Sequence, residues 1–203
     1  MPYNPRAVNT RQALTQFAET WEKIATESDT VQGLFTSYIM PLAAIGPIAG
    51  FIGGSLIGTT AVTVLGTYSA RTPVASGLVS AVIAYALALV GAYVSAIVAS
   101  ELAPSFGGAK SQINGLKLIA YSSTPVWVFS VLQILPVLGI IVLIAALYGL
   151  YVLYLGVPPV MKVPPDKQVV YTLILIVVTV VIFLVVGAIV AALRAAAGGA
   201  VGI

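Results

Sequence analysis

The chain contains no cysteine and no histidine. Without thiols it can form no disulfide, no thiolate metal site and no cysteine nucleophile. Without imidazole it lacks the commonest general base and metal ligand at neutral pH. Charge is nearly as scarce. Of 203 residues only 7% are charged, nine basic and six acidic, where a soluble domain carries about 25%. A surface in water cannot be built from so few. The net charge of +3 is too small to imply a nucleic-acid partner. No Walker-type loop, metal-ligand spacing or nucleophile elbow occurs. Cofactors are therefore not expected, and neither is an enzyme.

What the chain does have is apolar length. Hydrophobic residues make up 60% of it, with a mean hydropathy of +1.07. Several uncharged runs exceed the roughly 20 residues that cross a bilayer core as helix. They are continuous, whereas the strands of a barrel would alternate. The fold class read from this is an all-α integral membrane protein, a bundle of five transmembrane helices preceded by an amphipathic N-terminal helix. Residues 1–30 form a cytosolic amphipathic segment, 31–194 the five-span domain and 195–203 a short extracytoplasmic tail. The spans lie near 34–57, 77–100, 118–135, 137–157 and 169–193. Leu135-Pro136 separates the third from the fourth, because proline removes a donor and clashes with the preceding turn. Pro125 interrupts the third, which either spans fully or is re-entrant. The first thirty residues carry no apolar run before a cleavage site, so the first span is expected to serve as the insertion signal.

Within residues 11–29, Leu14, Phe17, Ala18, Trp21, Ile24 and Ala25 share one helical face. Such a helix either packs on the protein's own cytosolic face or binds lipid or a partner. Thr59 to Val74 reads as an external loop. Orientation follows the basic residues. Arg6, Arg11, Lys23, Lys110, Lys117, Lys162 and Lys167 fall on one side of a five-span chain, and Arg71 and Arg194 on the other. Seven against two places the N-terminus in the cytoplasm and the C-terminus outside.

Two features stand out inside and beside the spans. Gly46, Gly50, Gly54 and Gly58 recur every four residues in the first span, and Ala84, Ala88 and Ala92 in the second. Small residues at this spacing let helices approach closely, so the two spans are expected to pair. A solute path or a dimer seam is the alternative use. No ionisable residue sits mid-span, which argues against carboxylate-coupled transport. The second feature is the turn between the last two spans, where Pro158, Pro159, Pro164 and Pro165 stiffen the backbone around Lys162 and Lys167. Trp21, Tyr154, Lys162, Pro164 and Lys167 are the candidate contacts for a partner or for lipid headgroups.

Several pieces resemble the Yip-domain family of Rab-GTPase-interacting polytopic membrane proteins, in its prokaryotic branch. They are Trp21-Glu22-Lys23-Ile24-Ala25, Tyr38 with Pro41-Leu42-Ala43-Ala44-Ile45, and Ala120-Tyr121-Ser122-Ser123-Thr124-Pro125. Leu135-Pro136-Val137-Leu138-Gly139, Tyr151 to Pro158, Met161-Lys162-Val163-Pro164 and Tyr171 complete the set in family order. The resemblance implies a five-span membrane fold, the inner membrane of a prokaryote and a role in membrane organisation or partner binding. Eukaryotic relatives carry a long N-terminal region with a DLYGP-type motif, which this chain lacks, so Rab binding is not carried over. The expected partners are the lipid bilayer and a membrane or cytosolic protein. The alternative function is a passive solute conduit or a lipid-moving protein.

Overall fold

In an apolar run the backbone N–H and C=O groups find no water, and the helix satisfies them locally. In the computed structural model, which describes residues 19–63 and 66–199, five helices are long and apolar enough to cross a membrane. The described part of the first helix, α1, covers residues 19–26. The spans are α2 (Val31–Ile57), α3 (Val74–Phe106), α4 (Gln112–Ile134), α5 (Gly139–Met161) and α6 (Pro165–Gly199). The rest of the expected N-terminal helix, including Leu14, Phe17 and Ala18, lies outside the described residues.

Two of the spans, α2 and α4, start at polar caps rather than where charge disappears. Thr30 accepts from the Gly33 N–H at 3.0 Å and opens α2. Ser111 does the same for α4 through Asn114 N–H. Each cap satisfies one of the free donors of a first turn. α4 therefore begins six residues before the expected boundary near 118, and Lys110 but not Lys117 remains in the connecting loop. The break between α4 and α5 falls at Leu135, followed by a single 3₁₀ turn, Pro136–Leu138. Pro47 and Pro125 lie within ordinary α-helix, whereas other prolines of the spans sit beside wider turns. The π turn Phe35–Ile39 precedes Pro41, and Val157–Met161 contains Pro158 and Pro159. Such bulges absorb a missing donor without ending the helix.

Between α2 and α3 the expected loop is instead an antiparallel hairpin. β1 (Thr59–Thr63) pairs with β2 (Gly66–Ala70), Thr59 opposite Ala70 and Thr63 opposite Gly66. The β-branched run Thr59-Thr60-Ala61-Val62-Thr63 favours extended backbone. Gly58, at φ 92°, ends α2 in a conformation suited to glycine. Arg71 Nε donates to the Ile57 carbonyl at 3.2 Å, placing a cation at the helix C-terminus.

α4 is the most buried span and α6 the least. Around α4 stand α2, α3, α5 and, at one end, α1; α6 lies outside, against α3. The close approaches are single glycines. A Cβ on Gly115 of α4 would come within 2.4 Å of the Ala96 carbonyl oxygen of α3. On Gly149 of α5 it would lie 2.7 Å from the Ser122 oxygen of α4, and on Gly53 of α2 2.5 Å from the Gln133 oxygen. Val82, Leu143, Leu147, Val177 and Leu184 remain outward on α3, α5 and α6, the surface that a bilayer covers.

Candidate functional site

The packing above fixes one end of the bundle, here called the basic end. It gathers α1, the start of α2, the end of α3, the start of α4, the end of α5 and the start of α6. Its chain segments are tied through main-chain carbonyls. Ala109 N–H donates to the Met161 carbonyl at 2.8 Å. Asn114 Nδ2 donates to the Val160 carbonyl at 3.0 Å, and Gln168 Nε2 to that of Tyr154 at 2.8 Å. Tyr171, fully buried, donates its hydroxyl to the Ala99 carbonyl at 2.6 Å and meets the Phe106 ring edge-on. Gly107, at φ 79°, caps the end of α3 and packs on Pro164. The proline turn is therefore held against the α3–α4 loop rather than projecting alone.

Lys162 sits at φ 57°, the left-handed region, and its N–H closes the π turn onto the Pro158 carbonyl at 3.0 Å. A side chain there costs roughly 1–2 kcal/mol. The turn is thus over-determined by its neighbours, and Lys162 is exposed on it. Lys167 is exposed as well, in the first turn of α6 beside Asp166. Pro164 and Tyr154 are half-buried.

Trp21 is placed differently from a surface anchor. It is 3% exposed, inserted where Gly156 leaves room: a Cβ on Gly156 would lie 2.7 Å from the indole. Tyr121 meets its ring edge-on at 6.3 Å, and Tyr38 lies 4.9 Å from Tyr121. The Tyr38 hydroxyl and Thr124 Oγ1 are hydrogen-bonded at 2.8 Å. Of the five candidate contacts, Lys162 and Pro164 lie in the α5–α6 turn and Tyr154 and Lys167 on the helices that flank it, whereas Trp21 belongs to the core beneath α1.

Lys117 was not among the candidates and is the most unusual charged group of the bundle. Its side chain is 1% exposed. Its ammonium donates to the Ile24 carbonyl at 2.7 Å and to the Glu27 carbonyl at 2.6 Å, and lies 3.4 Å from the Asp29 carboxylate. Two of its N–H donors thus meet main-chain oxygens, and the Asp29 carboxylate completes the site as an ion pair. The carbonyls belong to the end of α1, where the helix dipole is negative. Burying an ammonium is tolerable only when it is paired in this way. The docking of α1 is carried by Lys117 and Trp21. Glu27 contributes its backbone carbonyl. In the sequence, the only hint was a lysine one residue before an uncharged run, in a chain whose acidic residues cluster at Glu19, Glu22, Glu27 and Asp29.

The small-residue stripes divide among several partners. Gly46 and Gly50 face Ser130 and Gln133 of α4, Gly54 faces Thr72, and Gly58 ends the helix. α2 and α3 do touch, through Gly77 on Ser55 and Tyr85 Oη donating to the Met40 carbonyl at 3.1 Å. Ala84 and Ala88 are half-buried, and Ala92 is fully buried. The tight part of α3 runs from Gly91 to Ser100, between α4 and α6. Among the described residues no acidic cluster could hold a metal ion.

A family model described as the Yip1 domain matches residues 11–188. Neither the curated proteins nor the solved structures give a match.

Proposed function

The chain belongs to the Yip1-domain family of polytopic membrane proteins, and from that premise we propose that it is a non-enzymatic scaffold that binds a partner at its basic end. The observation that carries this reading is the cross-tied frame at that end. Ala109, Asn114, Lys117 and Gln168 each donate to a main-chain carbonyl of a neighbouring segment. Lys117 ties α1 to the frame, and the other three hold the proline turn still while Lys162 and Lys167 stay exposed beside it. A rigid, pre-formed surface binds with less ordering cost than a mobile loop.

In this reading the basic end faces the cytoplasm of a prokaryotic inner membrane, following the positive-inside rule. A single cysteine at Lys167, in this cysteine-free chain, should react with a membrane-impermeant thiol reagent only after the cytoplasmic face is opened. Labelling of intact cells would reverse the orientation. For function, a photo-crosslinking residue at Lys162 should give a discrete protein adduct in native membranes, and the same residue at lipid-facing Val181 should not. Solute flux or lipid scrambling by reconstituted protein, above empty vesicles, would overturn the scaffold in favour of a conduit.

A further inference from the structure

We propose that Lys117 is a binding site for the phosphate of an anionic phospholipid, and that α1 is its resident, displaceable occupant. This goes beyond the scaffold reading, which assigns no lipid site.

Every oxygen around the Lys117 ammonium comes from residues 24–29: two carbonyls and one carboxylate. The bundle beneath is apolar, with Leu116, Leu118, Ile119 and Ala120 all buried. If residues 24–29 lift away with α1, the ammonium loses these acceptors. A group that supplies several anionic oxygens at one point is what the vacated position then requires. Lys117 is five residues into α4, about 7.5 Å along the axis, a depth comparable with the headgroup layer on one side of a bilayer. Phospholipid phosphate is the oxygen-rich anion present at that depth.

The charge of the occupant makes the exchange depend on lipid type. Residues 19–29 hold Glu19, Glu22, Glu27 and Asp29 against Lys23, a net charge of −3. An anionic leaflet repels this segment while Lys162 and Lys167 on the same end attract the lipid. The same lipid therefore weakens the occupant and offers its replacement. Linkage makes the effect reciprocal: whatever displaces α1 is in turn bound more tightly when α1 is weakened. Docked and lifted α1 are the two states, and the differential contact at Lys117 is what anionic lipid acts on.

The test uses the full chain in nanodiscs of neutral phosphatidylcholine and of mixtures with increasing phosphatidylglycerol, at fixed ionic strength. Hydrogen exchange of the amides of residues 21–26 reports the opening of α1. We expect opening to rise about tenfold by roughly one-third anionic lipid, a differential free energy of about 1.4 kcal/mol between the two states. Lys117→Met should open more readily in neutral lipid and respond at most twofold to phosphatidylglycerol. A response in Lys117→Met equal to that of the wild type would reduce the effect to surface repulsion and overturn the site. Asp29→Asn, at a partly exposed position that leaves the bundle intact, should reach half-opening at about threefold less phosphatidylglycerol. A titration superimposable on the wild type would also overturn it. Inorganic phosphate added to neutral nanodiscs, against chloride of equal ionic strength, separates the two sources of the anion. No acceleration is expected, and acceleration matching phosphatidylglycerol would assign the site to free phosphate and overturn the lipid.

Discussion

Gly115→Ala is the smallest change that tests whether this bundle is held by backbone approach. The added carbon would sit 2.4 Å from the Ala96 carbonyl oxygen and 3.3 Å from the Ser100 nitrogen. An ordinary carbon–oxygen contact is about 1 Å longer. Both neighbours are main chain, so no rotamer change relieves the clash, and α3 and α4 must separate by about 1 Å. A gap of that size forfeits a quarter to a half of each contact's well of ~0.1–0.2 kcal/mol. Overpacking of this kind costs about 1–3 kcal/mol. Against it stands the better helix propensity of alanine, worth about 1 kcal/mol. The net expectation is a loss of up to about 2 kcal/mol, or a melting temperature lower by up to roughly 8 °C in a chain of this length. Gly187→Ala is the matched control, since nothing lies within 4 Å of its added carbon. It should melt no lower than the wild type. Thermal unfolding of both variants in one detergent, followed by circular dichroism, gives the comparison. If Gly115→Ala melts with or above Gly187→Ala, the seam between α3 and α4 is not set by backbone contact.

Three further outcomes follow from the same geometry. Trp21→Ala empties a core position, at a cost of about 3–5 kcal/mol to the docked helix; trypsin should cleave after Lys23 much faster, while the melting of the five spans is unchanged. Tyr171→Phe removes the 2.6 Å bond to the Ala99 carbonyl and should lower stability by about 0.5–1.5 kcal/mol in the same melts. Gly50→Ala and Gly54→Ala, whose added carbons would find neighbours at 3.7 Å, should stay within about 0.5 kcal/mol of the wild type. Gly53→Ala, aimed at two main-chain oxygens at 2.5 and 2.8 Å, should fail that limit clearly.

Much of the architecture was legible because a bilayer constrains sequence so strongly. Uncharged runs marked five spans, and Leu135-Pro136 marked the turn between α4 and α5. Helix starts were less legible. Thr30 and Ser111 prolong α2 and α4 beyond the apolar core, since a cap can hold a polar first turn in helix. That extension carried Lys117 from an expected loop into a buried position. A lysine beside an apolar run reads as a boundary marker whichever way it faces. Only the docking of α1, a contact between residues about ninety apart, distinguishes the two. The hairpin Thr59–Ala70 was missed because a strand pair this short carries little signal beside spans that are so apolar.

The glycines show how a regular pattern can divide among several contacts. A four-residue stripe implies a long seam, which requires two helices that run nearly parallel. Helices that cross at an angle approach closest at one point, and one glycine at that point is enough. Here Gly115, Gly149 and Gly156 each serve one contact, facing the Ala96 oxygen, the Ser122 oxygen and the Trp21 ring. Each stands alone between larger residues: Asn114 and Leu116, Tyr148 and Leu150, Leu155 and Val157. In the stripe Gly46 to Gly58, by contrast, small residues are so frequent that their spacing discriminates little. The informative glycine in a membrane span is therefore the isolated one, because a bulky neighbourhood leaves close approach as the reason for its size.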